Sequence, residues 1–207
     1  MQSFRLILEL MYFASGVALA VIACVGLRQL TIAKENAKMS AKRESYKLAA
    51  DQCAVYFAHI IPLLNELNDA VNERKIEFFK KARVEISDGK IKVSFGGNKK
   101  LPDELLAITP EATKALNSLE SFSIFFMSGV AAEDVAFKSV GYTFCNSVED
   151  LLPLIIPLGT DKYFQNIVQL FLLWHARIES RALQLDKAKL EARLKDVDNK
   201  FIKPIGT

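Results

Sequence analysis

The chain predicts a mainly α-helical protein: an N-terminal transmembrane helix continuing into a stalk, then a cytoplasmic helical bundle with one small β-hairpin. Three observations carry this. Leu10 to Leu27 is an uninterrupted charge-free run, and about 20 apolar residues suffice to cross a bilayer as a helix. No Gly or Pro occurs between Arg28 and Ile61, so nothing in that stretch forces the helix to end. Beyond it, apolar residues recur at helical spacing except around Asp88-Gly89, where the period drops to two. The expected division is an anchor over 1–30 and a helical domain over 31–207, with the hairpin at about 83–95.

The elements follow in order. Arg5 and Glu9 can snorkel, which extends the span towards Leu6 to Leu8. After the span, Ala37, Ala41, Leu48 and Ala49 keep helical spacing, and Tyr56, Ile60, Leu63, Leu64, Leu67 and Val71 form a stripe that can pack. Pro62 should kink or restart this helix. Val84 to Val93 alternates apolar and polar residues about Asp88-Gly89, a dipeptide suited to a turn needing positive φ, and Gly96 to Lys100 loosens into a loop. Thr109-Pro110-Glu111 is a helix start with Thr109 as cap, and Gly129 is its stop. Glu133 to Val140 and Thr143 to Ile155 read as two helices separated by Gly141, and Leu151 to Leu158, with two prolines, as buried and irregular. Thr160 or Asp161 can cap a final helix reaching about Asp198. Its first part, Ile167, Leu170, Phe171, Trp174 and Ile178, is core; its second, with Leu183, Leu190, Leu194, Val197 and Phe201 among charges, emerges as an arm. The arm either returns along the stalk or meets another subunit, and the lack of sustained heptads favours packing within the protomer.

Charge sets the orientation. Arg28 to Ala50 carries six Lys/Arg against two Asp/Glu, whereas the residues before the span have Arg5 offset by Glu9. The positive-inside bias therefore puts the N-terminus in the periplasm and the helical domain in the cytoplasm. Arg28, Lys34 and Lys38 are placed to meet lipid headgroups. A net charge of +3 reflects partly this cluster and gives no indication of nucleic-acid binding. Two rival readings of the first 24 residues are a cleaved signal peptide at Ala18-Leu19-Ala20 and a lipidated Cys24 after Val21-Ile22-Ala23. Against both, the apolar run continues past the cleavage site and then passes directly into a basic helical stretch.

Little points to catalysis. His59 and His175 are the only histidines, without H-E-x-x-H spacing, and Cys24, Cys53 and Cys145 form no C-x-x-C pair. No residue is assigned as catalytic or metal-binding, no cofactor is expected, and the balance of the residues is against an enzyme. The glycines at 96–97 lack the following Lys-Ser/Thr of a nucleotide cradle. Asn117 and Glu120, three apart in an apolar stretch, are a polar pair on one helix face. It can fix the helix against Arg177, Arg181 or a backbone group, or recognise a ligand. Gly16, Ala20 and Ala23 fall near one face of the span, where small residues let membrane helices approach closely.

Ala115-Leu116-Asn117-Ser118-Leu119-Glu120, Ser128-Gly129-Val130 with Glu133, Leu152-Pro153-Leu154-Ile155 and Phe171-Leu172-Leu173-Trp174 together resemble a bacterial family of single-pass, membrane-anchored helical proteins of unknown function. The resemblance covers about residues 110–178 plus the span and implies architecture, not activity. The signature of helical RNA-cleaving domains, an Arg four to six residues before a helix His, is missing at both His59 and His175. The resulting expectation is an inner-membrane protein acting through homo-oligomerisation and binding of a protein partner. A ring or bundle of such spans resembles membrane-acting effectors of bacterial antiphage defence. The alternative is a membrane-tethered nucleic-acid-processing or ligand-sensing domain.

Overall fold

The computed structural model describes residues 2–87, 89–95, 103–158 and 163–198. The chain is mainly helical with one two-stranded antiparallel hairpin, and divides into two units, Met1–Tyr46 and Lys47–Thr207. Helix α1 spans Gln2–Val55. Within the first unit every described side chain from Phe4 to Glu44 is exposed, including Phe4, Leu10, Phe13, Leu19 and Ile22.

The second unit begins in the last turns of α1, where Ala49, Cys53 and Tyr56 turn inward. A π-helical segment, Tyr56–Ile60, then leads into α2, Ile61–Glu73, with the Ile61 N–H bonded to the Tyr56 carbonyl. Pro62 is the cause. It has no N–H for the carbonyl four residues back and its ring crowds that carbonyl, so the turn widens just before it and the helix restarts.

Short helix α3, Phe78–Lys81, precedes strands β1, Ala82–Ser87, and β2, Lys90–Phe95. Val84 pairs with Val93 and Ile86 with Ile91, so the apolar alternation lands on one face, and Phe95 stacks on Phe78 at 5.1 Å. Gly89 has the positive φ the turn requires (68°), while Asp88 lies outside the described residues, as do Gly96 to Lys100, Thr160, Asp161 and Phe201.

Helix α4 covers Thr109–Met127 and follows a 3-10 segment, Asp103–Ile108. Thr109 is not its cap: its hydroxyl donates to the Leu105 carbonyl at 3.2 Å, because the 3-10 turn runs straight into the helix and leaves no extended cap position. Gly129, at φ 72°, does end α4, with the Ala131 N–H closing back on the Phe125 carbonyl.

The expected break at Gly141 is absent. Helix α5 runs unbroken over Glu133–Leu158. Gly141 is buried there, and a Cβ would lie 2.6 Å from the Phe137 ring, so the glycine serves close packing instead of ending a helix. The expected irregularity at Leu151 to Leu158 is overturned as well: the segment is helical despite Pro153 and Pro157, because Leu151 to Ile155 are all buried and their packing outweighs the missing N–H groups. Replacing Gly141 with Ala should lower stability by about 1–2 kcal/mol. Overpacking costs about 1–3 kcal/mol and the helix-propensity gain returns up to about 1. Thermal unfolding measures this; an unchanged melting temperature would mean that Phe137 moves aside freely.

Helix α6, Gln165–Asp198, inserts Ile167, Leu170, Phe171 and Trp174 into the core. Trp174 is fully buried, with its ring centroid 5.0 Å from Phe144, 5.9 Å from Phe137, 6.0 Å from Phe126 and 6.4 Å from Phe122. Tyr56 joins the cluster through Phe122 at 5.1 Å. The second half of α6 departs from the expectation of packing within the protomer: every side chain from Glu179 to Lys195 is exposed, Leu183, Leu190 and Leu194 among them. Its charges repeat so closely around the apolar positions that the helix offers the core no wide apolar face.

Candidate functional site

The predicted polar pair is divided. Glu120 is half-buried on α4 and receives the start of α6: its carboxylate accepts the Ile167 N–H at 3.0 Å, the Asn166 N–H at 3.3 Å and the Asn166 side-chain amide at 2.6 Å. An acid here satisfies otherwise orphaned helix N–H groups and meets the positive end of the helix dipole. Of the partners anticipated for Glu120, the backbone group is the one used. Asn117 is exposed and makes no hydrogen bond among the described residues.

Arg177 and Arg181 belong to another acid. Glu133, the first residue of α5, takes both Arg177 guanidinium nitrogens at 2.9 and 3.0 Å and also accepts the Trp174 indole N–H. The guanidinium carbons of Arg177 and Arg181 each lie 4.7 Å from the centre of the Phe137 ring. This cluster fixes the turn between α4 and α5 to α6. Its sequence signals are two arginines four apart, one and two turns after the core tryptophan, and an acid after the Gly129 turn, and their spacing does not tell which acid the arginines meet. With its oxygens so occupied, Glu133 acts as a structural acceptor.

The histidines stand in different settings. His59 is exposed on the π-helical segment; His175 is half-buried, 5.3 Å from the Phe171 ring and 3.6 Å from the exposed Glu179 carboxylate. No group of three or more His, Cys, Asp or Glu among the described residues could hold a metal ion. The buried thiols are poor nucleophiles: burial, with some help from Glu149, pushes Cys145 up to about 12, and burial raises Cys53 against a smaller opposing effect of Ser139. The Tyr56 hydroxyl is enclosed without a hydrogen bond within bonding distance among the described residues. Burial raises its pKa, and the nearby Ser147 and Thr143 hydroxyls hold back part of the rise.

A cleft that the sequence reading did not anticipate opens between α2, α3, β1 and α5, with a volume of about 860 Å³. Leu64, Val71, Phe79 and Val84 contribute its apolar lining, Asn65, Asn68 and Asn72 one polar wall, and Lys75, Lys80, Glu149 and Asp150 charges of both signs. The available signal was the three asparagines at i, i+3 and i+7, which share a helix face. The carboxamides can both donate and accept hydrogen bonds. At the foot of α2, Arg74 grips Glu111 at 3.0 Å and holds its carboxyl below the usual carboxylate range.

In the first unit, Gly16, Ala20 and Ala23 lie on exposed helix surface, and a Cβ on Gly16 would meet nothing within 4 Å. Ala20 and Cys24 leave a shallow notch among Val17, Val21, Val25 and Arg28. Arg28, Lys34 and Lys38 are exposed and without ion pairs among the described residues. One helix of the described chain is long and apolar enough to cross a membrane, and it contains this segment. No family model matches the chain, and no curated protein or solved structure matches it either.

Proposed function

We propose that the chain is a single-pass inner-membrane protein, N-terminus periplasmic and helical domain cytoplasmic, which acts through self-association and binding of a protein partner. The observation that carries this is the exposure of every described side chain from Phe4 to Glu44, large apolar groups included, on a helix of spanning length. A soluble protein rarely leaves so continuous an apolar surface uncovered. Lipid covers it at the cost of two snorkelling charges, Arg5 and Glu9, which also pair at 3.5 Å. Arg28, Lys34 and Lys38 then lie at the headgroups, and the six-to-two charge excess after the span holds the domain on the cytoplasmic side.

Within the membrane, Gly16, Ala20 and Ala23 allow two spans to approach closely. An assembly built on them could control membrane permeability, as antiphage effectors do. A reporter fused after Thr207 should be active only in its cytoplasmic form, and Gly16→Leu with Ala20→Leu should reduce the mass of the detergent-solubilised protein without preventing insertion. Because a Cβ at Gly16 meets nothing in its own chain, lost mass reports on a neighbour. Periplasmic reporter activity, a mature N-terminus at Val21 or a lipidated Cys24 would overturn the topology. A monomeric wild type would overturn the assembly.

A further inference from the structure

The α6 arm, Glu179 to Lys195, is about 25 Å of helix with every side chain exposed. Its apolar residues make a narrow seam: Leu183, Leu190 and Leu194, exposed by 70, 58 and 61%, stand at d, d and a positions of two heptads, with Lys187 at the intervening a position. Leu185 lies off the seam. A lipid surface would require a wide apolar face backed by Lys and Arg. Here Asp186, Glu179 and Glu191 interrupt the cations, so a second helix suits the seam better.

We infer that two copies of the chain pair through their α6 arms in antiparallel orientation, Leu183 of each against Leu194 of the other. This rests on the self-association proposed above and names its cytoplasmic contact. Charge chooses the direction. In the antiparallel register Asp186 flanks Arg193 of the second copy, twice by symmetry, and Gln184 flanks Glu191; the Lys187 stem covers Leu190 while its ammonium reaches water. A parallel in-register pair would set Asp186 against Glu191 and Lys187 against Lys187, all repulsive. The needed charges are available: Arg193 has no ion pair among the described residues, and Asp186 meets only the equally exposed Lys189 at 3.5 Å. Two heptads make a weak contact in solution, but confinement to one membrane raises the effective concentration of the arms.

Disulfide trapping of the full chain in membranes tests this, with Cys24→Ser removing the exposed native thiol and Cys53 and Cys145 buried. Leu183→Cys and Leu194→Cys co-expressed should give a cross-linked dimer at least about tenfold above either variant alone. Antiparallel pairing leaves like positions about 16 Å apart along the axis, and a disulfide needs Cα atoms within about 7 Å. Asp186→Arg should lower the yield about tenfold by turning two attractions into repulsions, and adding Arg193→Asp should restore it. Stronger trapping of either variant alone, a gain with Asp186→Arg, or no trapping in any combination would overturn the inference. If trapping fails while the detergent-solubilised chain is still oligomeric, only the arm contact is lost; if the chain is monomeric, the self-association reading falls with it.

Discussion

Trp174→Ala is expected to destabilise the Lys47–Thr207 unit by about 3–5 kcal/mol, the usual cost of deleting a buried indole. The side chain has no exposed surface, and rings from α4 and α5 close around it. Its loss removes the contact on which three helices converge and leaves a cavity that the neighbouring rings cannot fill without abandoning one another. At about 2–4 °C per kcal/mol for a domain of this size, the melting temperature should fall by roughly 6–20 °C. Circular dichroism of the purified chain would measure it. Trp174→Phe should fall between, since the ring contacts survive but the N–H to Glu133 does not. A shift below about 2 °C for Trp174→Ala would remove the indole from its central place in the core.

Glu133→Ala should cost about 2–4 kcal/mol. It strands the Arg177 guanidinium and the Trp174 N–H together, and an unpaired donor in a partly closed site loses more than the bond itself contributed. The figure is held below that of a fully buried pair because the two side chains retain 34 and 22% exposure. The decisive measurement is a double-mutant cycle: Glu133→Leu with Arg177→Leu should be less destabilising than the sum of the single changes, by about 1–2 kcal/mol. Additive losses would mean that the carboxylate and guanidinium act independently. In that case the turn between α4 and α5 would be held by Trp174 packing alone.

Much of the fold is legible in the chain because its signals are local. The charge-free run, the turn at Gly89, the stop at Gly129 and the apolar faces of α4 and the first half of α6 each depend on residues within a few positions of one another. The errors share an origin. Gly141 and the prolines of α5 are helix breakers by intrinsic preference, and the packing of α5 against α6 and the hairpin overrides that preference. Thr109 has a capping side chain, but the preceding 3-10 turn decides what it bonds.

The candidate site divides along the same line. The positions of Gly16, Ala20 and Ala23 and of Arg28, Lys34 and Lys38 can be read directly, since one helix fixes their mutual spacing. The partners of Glu120 and Glu133 cannot. Each acid meets groups more than 40 residues away, and spacing along the chain does not specify distances across an interface. The cleft is hidden for the same reason, its walls coming from four separate elements. The sequence by itself determined α4, the core half of α6, the hairpin and a membrane-length apolar segment, because hydrophobic period and turn chemistry act over short range. Only the tertiary structure decided which acid caps α6, which holds Arg177, and that the α6 arm is left bare, because those outcomes depend on which surfaces pack against one another and which charges are left outside.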